Sequence, residues 1–172
     1  MRYCEGSMKL DTRKMTTLAL LISVAMILSY IESLVPAFVA VPGMKLGLSN
    51  IATVFALYTL GWPAAIAVSL VRVCLSALLF GNIPSLIFSL AGAVLALASM
   101  ILLSKLNLFS SVGVSVVGAV CHNIGQVAAA VIVMETLGVA YYVIPLLLSG
   151  TVAGIVIGII SGILVERIKK YL

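Results

Sequence analysis

Between Met15 and Leu164 the chain carries only five formal charges, on Glu32, Lys45, Arg72, Lys105 and Glu135. That scarcity constrains the fold more than any motif does. A water-soluble domain devotes about 25% of its residues to Asp, Glu, Lys and Arg. Here the share is 9%, with 63% hydrophobic residues and a mean hydropathy of +1.32. Apolar stretches this continuous need hydrocarbon around them, and each helical crossing takes roughly 20 residues. The 172 residues leave space for about six crossings joined by short turns. The expected fold is an all-α integral membrane protein of six transmembrane helices, with almost no soluble domain.

Proline and glycine mark where the stretches end. The first runs from about Met15 to Leu34 and stops before Pro36, and PAFVAVPGMK forms the loop after it. A second, shorter helix is expected over Leu46–Leu60. Gly61, Trp62 and Pro63 form a tight turn, with proline suited to the first turn of a third helix that ends near Leu79. Gly81, Asn82 and Pro84 break the chain again. Helices four, five and six are expected over Pro84–Leu103, Val112–Met134 and Tyr142–Leu164, with the polar connector SKLNLFSS between four and five. Residues 1–14 and 166–172 are tails flanking a transmembrane domain at 15–165.

Basic residues favour the cytoplasmic side of a membrane, which sets the orientation. Arg2, Lys9, Arg13 and Lys14 precede the first helix, and Arg167, Lys169 and Lys170 follow the last. Both termini are expected in the cytoplasm, as an even number of spans requires, and Lys105 falls on the same side. The net charge of +5 reflects that topology and not a nucleic-acid-binding face. Arg13 and Lys14 also stand where a signal peptide would carry its charges. The downstream VPAFVAVPG is a poor small-residue cleavage site, so a retained helix is expected. Cys4, Cys74 and Cys121 are odd in number and form no C-x-x-C pair, which suggests neither a disulfide framework nor a zinc site. Cys74 and Cys121 are expected to act as small packing residues.

Once the spans are oriented, the remaining polar groups fall in the outer half. Glu32 is near the outer end of helix one, Lys45 enters helix two from outside, and Asn50 lies about one turn deeper. Arg72 is midway through helix three, at the depth of His122 and Asn123, while Asn82 and Glu135 lie near the outer surface. A charge at the centre of a span costs about 2.5–3.5 kcal/mol. Arg72 should therefore face the bundle interior, meeting a ligand, helix carbonyls, or the carboxylate of Glu32 or Glu135. Lys45 either marks the membrane interface or lines a site with Asn50, since Gly47 and Ser49 in MKLGLSN let other groups approach. Glu32 and Glu135 either join that site or are ordinary carboxylates near water.

The stretch GAVCHNIGQ sharpens the picture. Gly118, His122 and Gln126 are spaced by four and share one helix face, with Asn123 flanking it and Gly125 thinning the adjacent surface. Polar side chains join transmembrane helices for about 0.6–2 kcal/mol each. Three within five residues exceed what one packing contact needs, so they are expected to line a cavity. In helix six, Gly150, Gly154, Gly158 and Gly162 form a stripe for close approach, either to a helix of the same bundle or to a docking partner. Ala19 and Ser23 form a weaker small patch on helix one. His122 has no nucleophile at a telling spacing. Asp11 is the sole aspartate, so no aspartate-rich motif can hold a magnesium diphosphate, and there is no nucleotide-binding loop. No catalytic residue, metal site or cofactor is expected.

Three segments carry a resemblance: PGMKLGLSNI (Pro42–Ile51), LVRVCLSALLFGNIPSLIFSLAG (Leu70–Gly92) and GAVCHNIGQ (Gly118–Gln126). With them the chain, from about Met15 to Lys170, resembles the Gx transporter family, also labelled heptaprenyl diphosphate synthase component I. That family is similar to the substrate-binding S components of energy-coupling factor (ECF) transporters. The resemblance implies a six-helix plasma-membrane subunit that captures a small micronutrient from outside and works with a transmembrane coupling protein and two cytoplasmic ATPases. It also implies an outward pocket under the loop between helices one and two. S components often dock through Ala-x-x-x-Ala on helix one; here the nearest match is Ala19-Leu-Leu-Ile-Ser23. The expected function is capture of a small polar or anionic solute by Glu32, Lys45, Asn50, Arg72, Asn82, His122, Asn123 and Gln126. The alternatives are an accessory subunit of an isoprenoid-diphosphate synthase and a solitary secondary carrier.

Overall fold

The structure, a computed structural model, describes residues 12–34, 47–81, 83–106 and 109–168. Lys45 and Asn82 lie outside the described residues, as does Cys4. The helices are α1 (Thr12–Leu34), α2 (Asn50–Thr59), α3 (Trp62–Phe80), α4 (Ile83–Leu106), α5 (Ser111–Met134) and α6 (Val143–Ile168), with a 3-10 turn at Leu137–Tyr142 before α6. No strand occurs among the described residues. Five of the helices are long and apolar enough to cross a membrane. Their outward faces carry large hydrophobics such as Leu78, Ile83, Ile132, Ile144 and Leu148, a surface that only hydrocarbon suits. The chain is a multi-pass membrane protein in contact with the lipid bilayer.

The expected helix ends shift by a few residues. α1 begins at Thr12, inside the expected tail, and α6 continues to Ile168. Pro63 sits in the first turn of α3 after Gly61, whose φ of 94° suits glycine. The Ser110 hydroxyl accepts from the Gly113 N–H and caps α5. Lys105 at the end of α4 stands over the Trp62 ring, 5.9 Å from its centroid, which puts the α2–α3 turn and the α4 terminus at one end of the bundle.

The short second helix differs most from expectation. Gly47 has φ 78°, a left-handed value that breaks helical continuation. The next turn closes through Asn50 N–H to Gly47 O and Ile51 N–H to Leu48 O. Regular α-helix therefore starts at Asn50 and not at Leu46. Its ten residues rise about 15 Å, half a crossing. Leu21, Phe55 and Ile168 line one groove. α2 therefore fills the half of the bundle where α1 starts and α6 finishes, and its first turn lies near mid-depth.

α4, α5 and α6 pack as one layer. The glycine stripe of α6 explains its tightness: a Cβ at Gly154 would stand 2.8 Å from Val116 Cα, and one at Gly158 would stand 2.6 Å from Val112 Cα. Gly162 faces Ser111 and Gly150 faces Asn123 in the same way. α5 occupies the whole stripe, so Gly150, Gly154, Gly158 and Gly162 are not a docking surface for another protein. α1, α2 and α3 make the other half, whose core includes Ala25, Val54, Ala56, Ala65 and Val68.

Candidate functional site

The start of α2 meets α3, α4 and α5 around a small internal cavity. Gly47, Asn50, Arg72, Val73, Ser76, Ser89 and His122 line it, and its volume is about 20 Å³. A space of that size holds about one water molecule. Three of the expected residues, Asn50, Arg72 and His122, come together here from helices far apart in sequence. Ser76 and Ser89 join them without having been singled out; a serine in an apolar helix is too common a packing residue to announce a cavity.

Arg72 dominates the chemistry. It is 7% exposed, in the middle of an apolar helix. Its Nη1 donates to the hydroxyl of Ser49, and the nearby Glu32 carboxylate attracts it electrostatically. Among the described residues its Nε has no hydrogen-bond partner. A buried donor without an acceptor costs about 1–3 kcal/mol, more when charged, so the guanidinium retains capacity for one more acceptor. Glu32 is 8% exposed and accepts the Gly47 N–H, which makes it part of the interior and not a carboxylate near water. Two bonds thus pin the Gly47–Ser49 turn, one to α1 and one to α3. Of the two carboxylates weighed as partners of Arg72, Glu135 is exposed at the end of α5 with φ 49°.

The polar residues of α5 divide. His122 reaches the cavity. Asn123 turns away from it and donates to Leu146 O in α6 at 2.6 Å, beside the glycine stripe. Gln126 is buried against α4: a Cβ at Gly92 would stand 2.8 Å from Gln126 Cγ and 2.7 Å from His122 O. Gly118 faces Met100, and Gly125 faces Ala91 and Gly92. The face bearing Gly118, His122 and Gln126 is therefore a seam against α4, with His122 at the cavity edge. Expectation erred for Asn123 and Gln126 because a spacing of four reveals a shared face and not what lies opposite it.

Ala19 and Ser23 are exposed on α1, and the Ser23 hydroxyl bonds the Ala19 carbonyl. Cys74 is exposed and Cys121 half-buried, so only the latter is enclosed by packing. Among the described residues no group of three His, Cys, Asp or Glu side chains lies close enough to hold a metal ion.

Residues 21–164 match the family model described as heptaprenyl diphosphate synthase component I. No curated protein and no solved structure matches the chain.

Proposed function

The chain belongs to the heptaprenyl diphosphate synthase component I family, and from that premise we propose that it is a non-catalytic, substrate-binding subunit of a plasma-membrane transporter, akin to ECF S components. The observation that carries this reading is Arg72. It is buried in an apolar bundle at a polar cavity, with one donor unsatisfied among the described residues. A purely structural arginine would be expected to satisfy its donors within the protein. The solute is small, with an anionic or strongly polar group for Arg72, and Asn50, Ser76, Ser89 and His122 supply directional hydrogen bonds. The cavity of about 20 Å³ is a closed form of that site. Entry requires the Gly47–Ser49 turn to leave Arg72 and Glu32. With both termini in the cytoplasm, α2 fills the cytoplasmic half and the site faces outward above it.

Energy for uptake comes from a coupling protein and ATPases, for which the exposed Ala19 and Ser23 offer a small-residue contact on α1. The family's name favours a second reading, an accessory subunit that serves a prenyl-diphosphate synthase. Affinity purification of the full chain from native membranes separates the two. Recovery of ATPases with a transmembrane partner supports the transporter reading; recovery of a prenyl synthase without them overturns it.

A further inference from the structure

α1 and α6 each pack on α2 and scarcely touch each other, which leaves a slot between them in the half of the bundle where α1 starts and α6 finishes. α2 supplies its floor through Ala52 and Phe55, both buried, with the buried Leu21 beside them; Val24, Leu164 and Ile168, all exposed, form its rims. Every side chain lining the slot is apolar, and its volume is about 110 Å³. That space suits a length of hydrocarbon chain and is too narrow for a helix, which is about 10–12 Å across.

The charges at the end of the slot specify the rest of the ligand. Lys14 lies seven residues before Leu21, two turns away on the same face of α1. Arg167 lies three residues after Leu164, on the same side of α6. Both are exposed, so each rim ends, towards the termini, in a cation. Arg13 and Glu166, the other exposed charges of α1 and α6 among the described residues, offset each other and leave the mouth positive. Along the helix Lys14 stands about 10 Å from Leu21 and about 15 Å from Val24, which matches half of a hydrocarbon core about 30 Å thick. A headgroup at Lys14 therefore places its acyl chain in the slot within one leaflet.

Independently of what Arg72 holds, we propose that this slot binds one anionic phospholipid, with an acyl chain between α1 and α6 and the phosphate between Lys14 and Arg167. The phosphate oxygens accept hydrogen bonds from both cations. A zwitterionic lipid carries its own compensating cation and is held less well, and a free phosphate has no chain for the slot. The lipid fills a gap that α1 and α6 leave open, so binding stabilises the fold.

The probes are dioleoylphosphatidylglycerol, dioleoylphosphatidylcholine and glycerol 3-phosphate, each titrated against the full-length protein in an uncharged detergent. Native mass spectrometry counts the adducts, and thermal unfolding reads the stabilisation. The expected result is one saturable phosphatidylglycerol adduct that raises the unfolding midpoint, weaker binding of phosphatidylcholine and no response to glycerol 3-phosphate. Lys14→Gln/Arg167→Gln should need roughly tenfold more phosphatidylglycerol for the same shift. Leu164→Trp, which fills the slot from its exposed rim, should lose the saturable adduct. Equal binding of the two lipids, unchanged in Lys14→Gln/Arg167→Gln, overturns the proposal, as do adducts that accumulate without saturating. Phosphatidylglycerol binding that survives Leu164→Trp also overturns it, since the charges alone would then hold the lipid. A response to glycerol 3-phosphate equal to that of the lipid makes the ligand a free phosphate and overturns it as well.

Discussion

The two halves of the bundle are built on different principles. In the α4–α5–α6 layer the helices meet backbone to backbone. Gly92, Gly125, Gly154 and Gly158 leave no space for a methyl group, and the buried Asn123 is satisfied by Leu146 O. In the α1–α2–α3 half the interior contains the charged Arg72 and Glu32, and its buried Thr53 and Tyr58 hydroxyls and Arg72 Nε lack partners among the described residues. Dry, close packing has little room to rearrange, because any shift forfeits dispersion contacts over the whole seam. A buried polar group without a partner costs about 1–3 kcal/mol, which a group bound there would recover. The first half is built as a scaffold, and the second contains the site proposed above.

That contrast can be broken by experiment, and the largest effect should come from the charged pair. Arg72→Leu removes a positive charge that the buried Glu32 attracts and is expected to cost about 3–5 kcal/mol. The Arg72→Leu/Glu32→Leu double variant should recover most of the loss, as measured by thermal unfolding in detergent. If the double variant is as unstable as the single one, the pair is not what the interior of that half depends on.

In the scaffold half, Gly158→Ala forces a methyl against Val112 and should cost about 1–3 kcal/mol, or roughly 2–4 °C of unfolding midpoint per kcal/mol. An unchanged midpoint would show the seam to be looser than described. A smaller effect, about 1 kcal/mol, is expected for Asn123→Ala, which loses the bond to Leu146. Gly150→Ala pushes into the same amide, so it should cost less in the Asn123→Ala background than alone. Strict additivity would deny their contact. Ser161→Ala, whose hydroxyl reaches Ile51 O only at 3.4 Å, should change stability by less than about 0.5 kcal/mol.

Much of the fold was legible in the sequence because hydrocarbon imposes simple rules. Uninterrupted apolar runs had to be helices, and proline, glycine and polar connectors placed their ends within a few residues. Buried charge was legible for the same reason: Arg72 in the middle of a span had to face inward. What lay opposite each helix face was not. Asn123 and Gln126 share a short segment with His122, yet three helix contacts divide them between α6, α4 and the cavity. The glycine stripe of α6 announced close approach without naming α5 as the partner. Glu32 looked peripheral because α1 nearly ends there, but Gly47 folds the start of α2 down onto it. The left-handed turn at Gly47, which shortens α2 and creates the site, has no periodicity to betray it.

The central claim is that Arg72 is where this membrane protein holds a small solute. Native mass spectrometry of the full chain, gently purified as wild type and as the Glu32→Gln/Arg72→Gln variant, tests it most directly. The expected result is a small polar or anionic molecule retained by the wild type and absent from a folded variant. Retention of the same molecule by both proteins would contradict it.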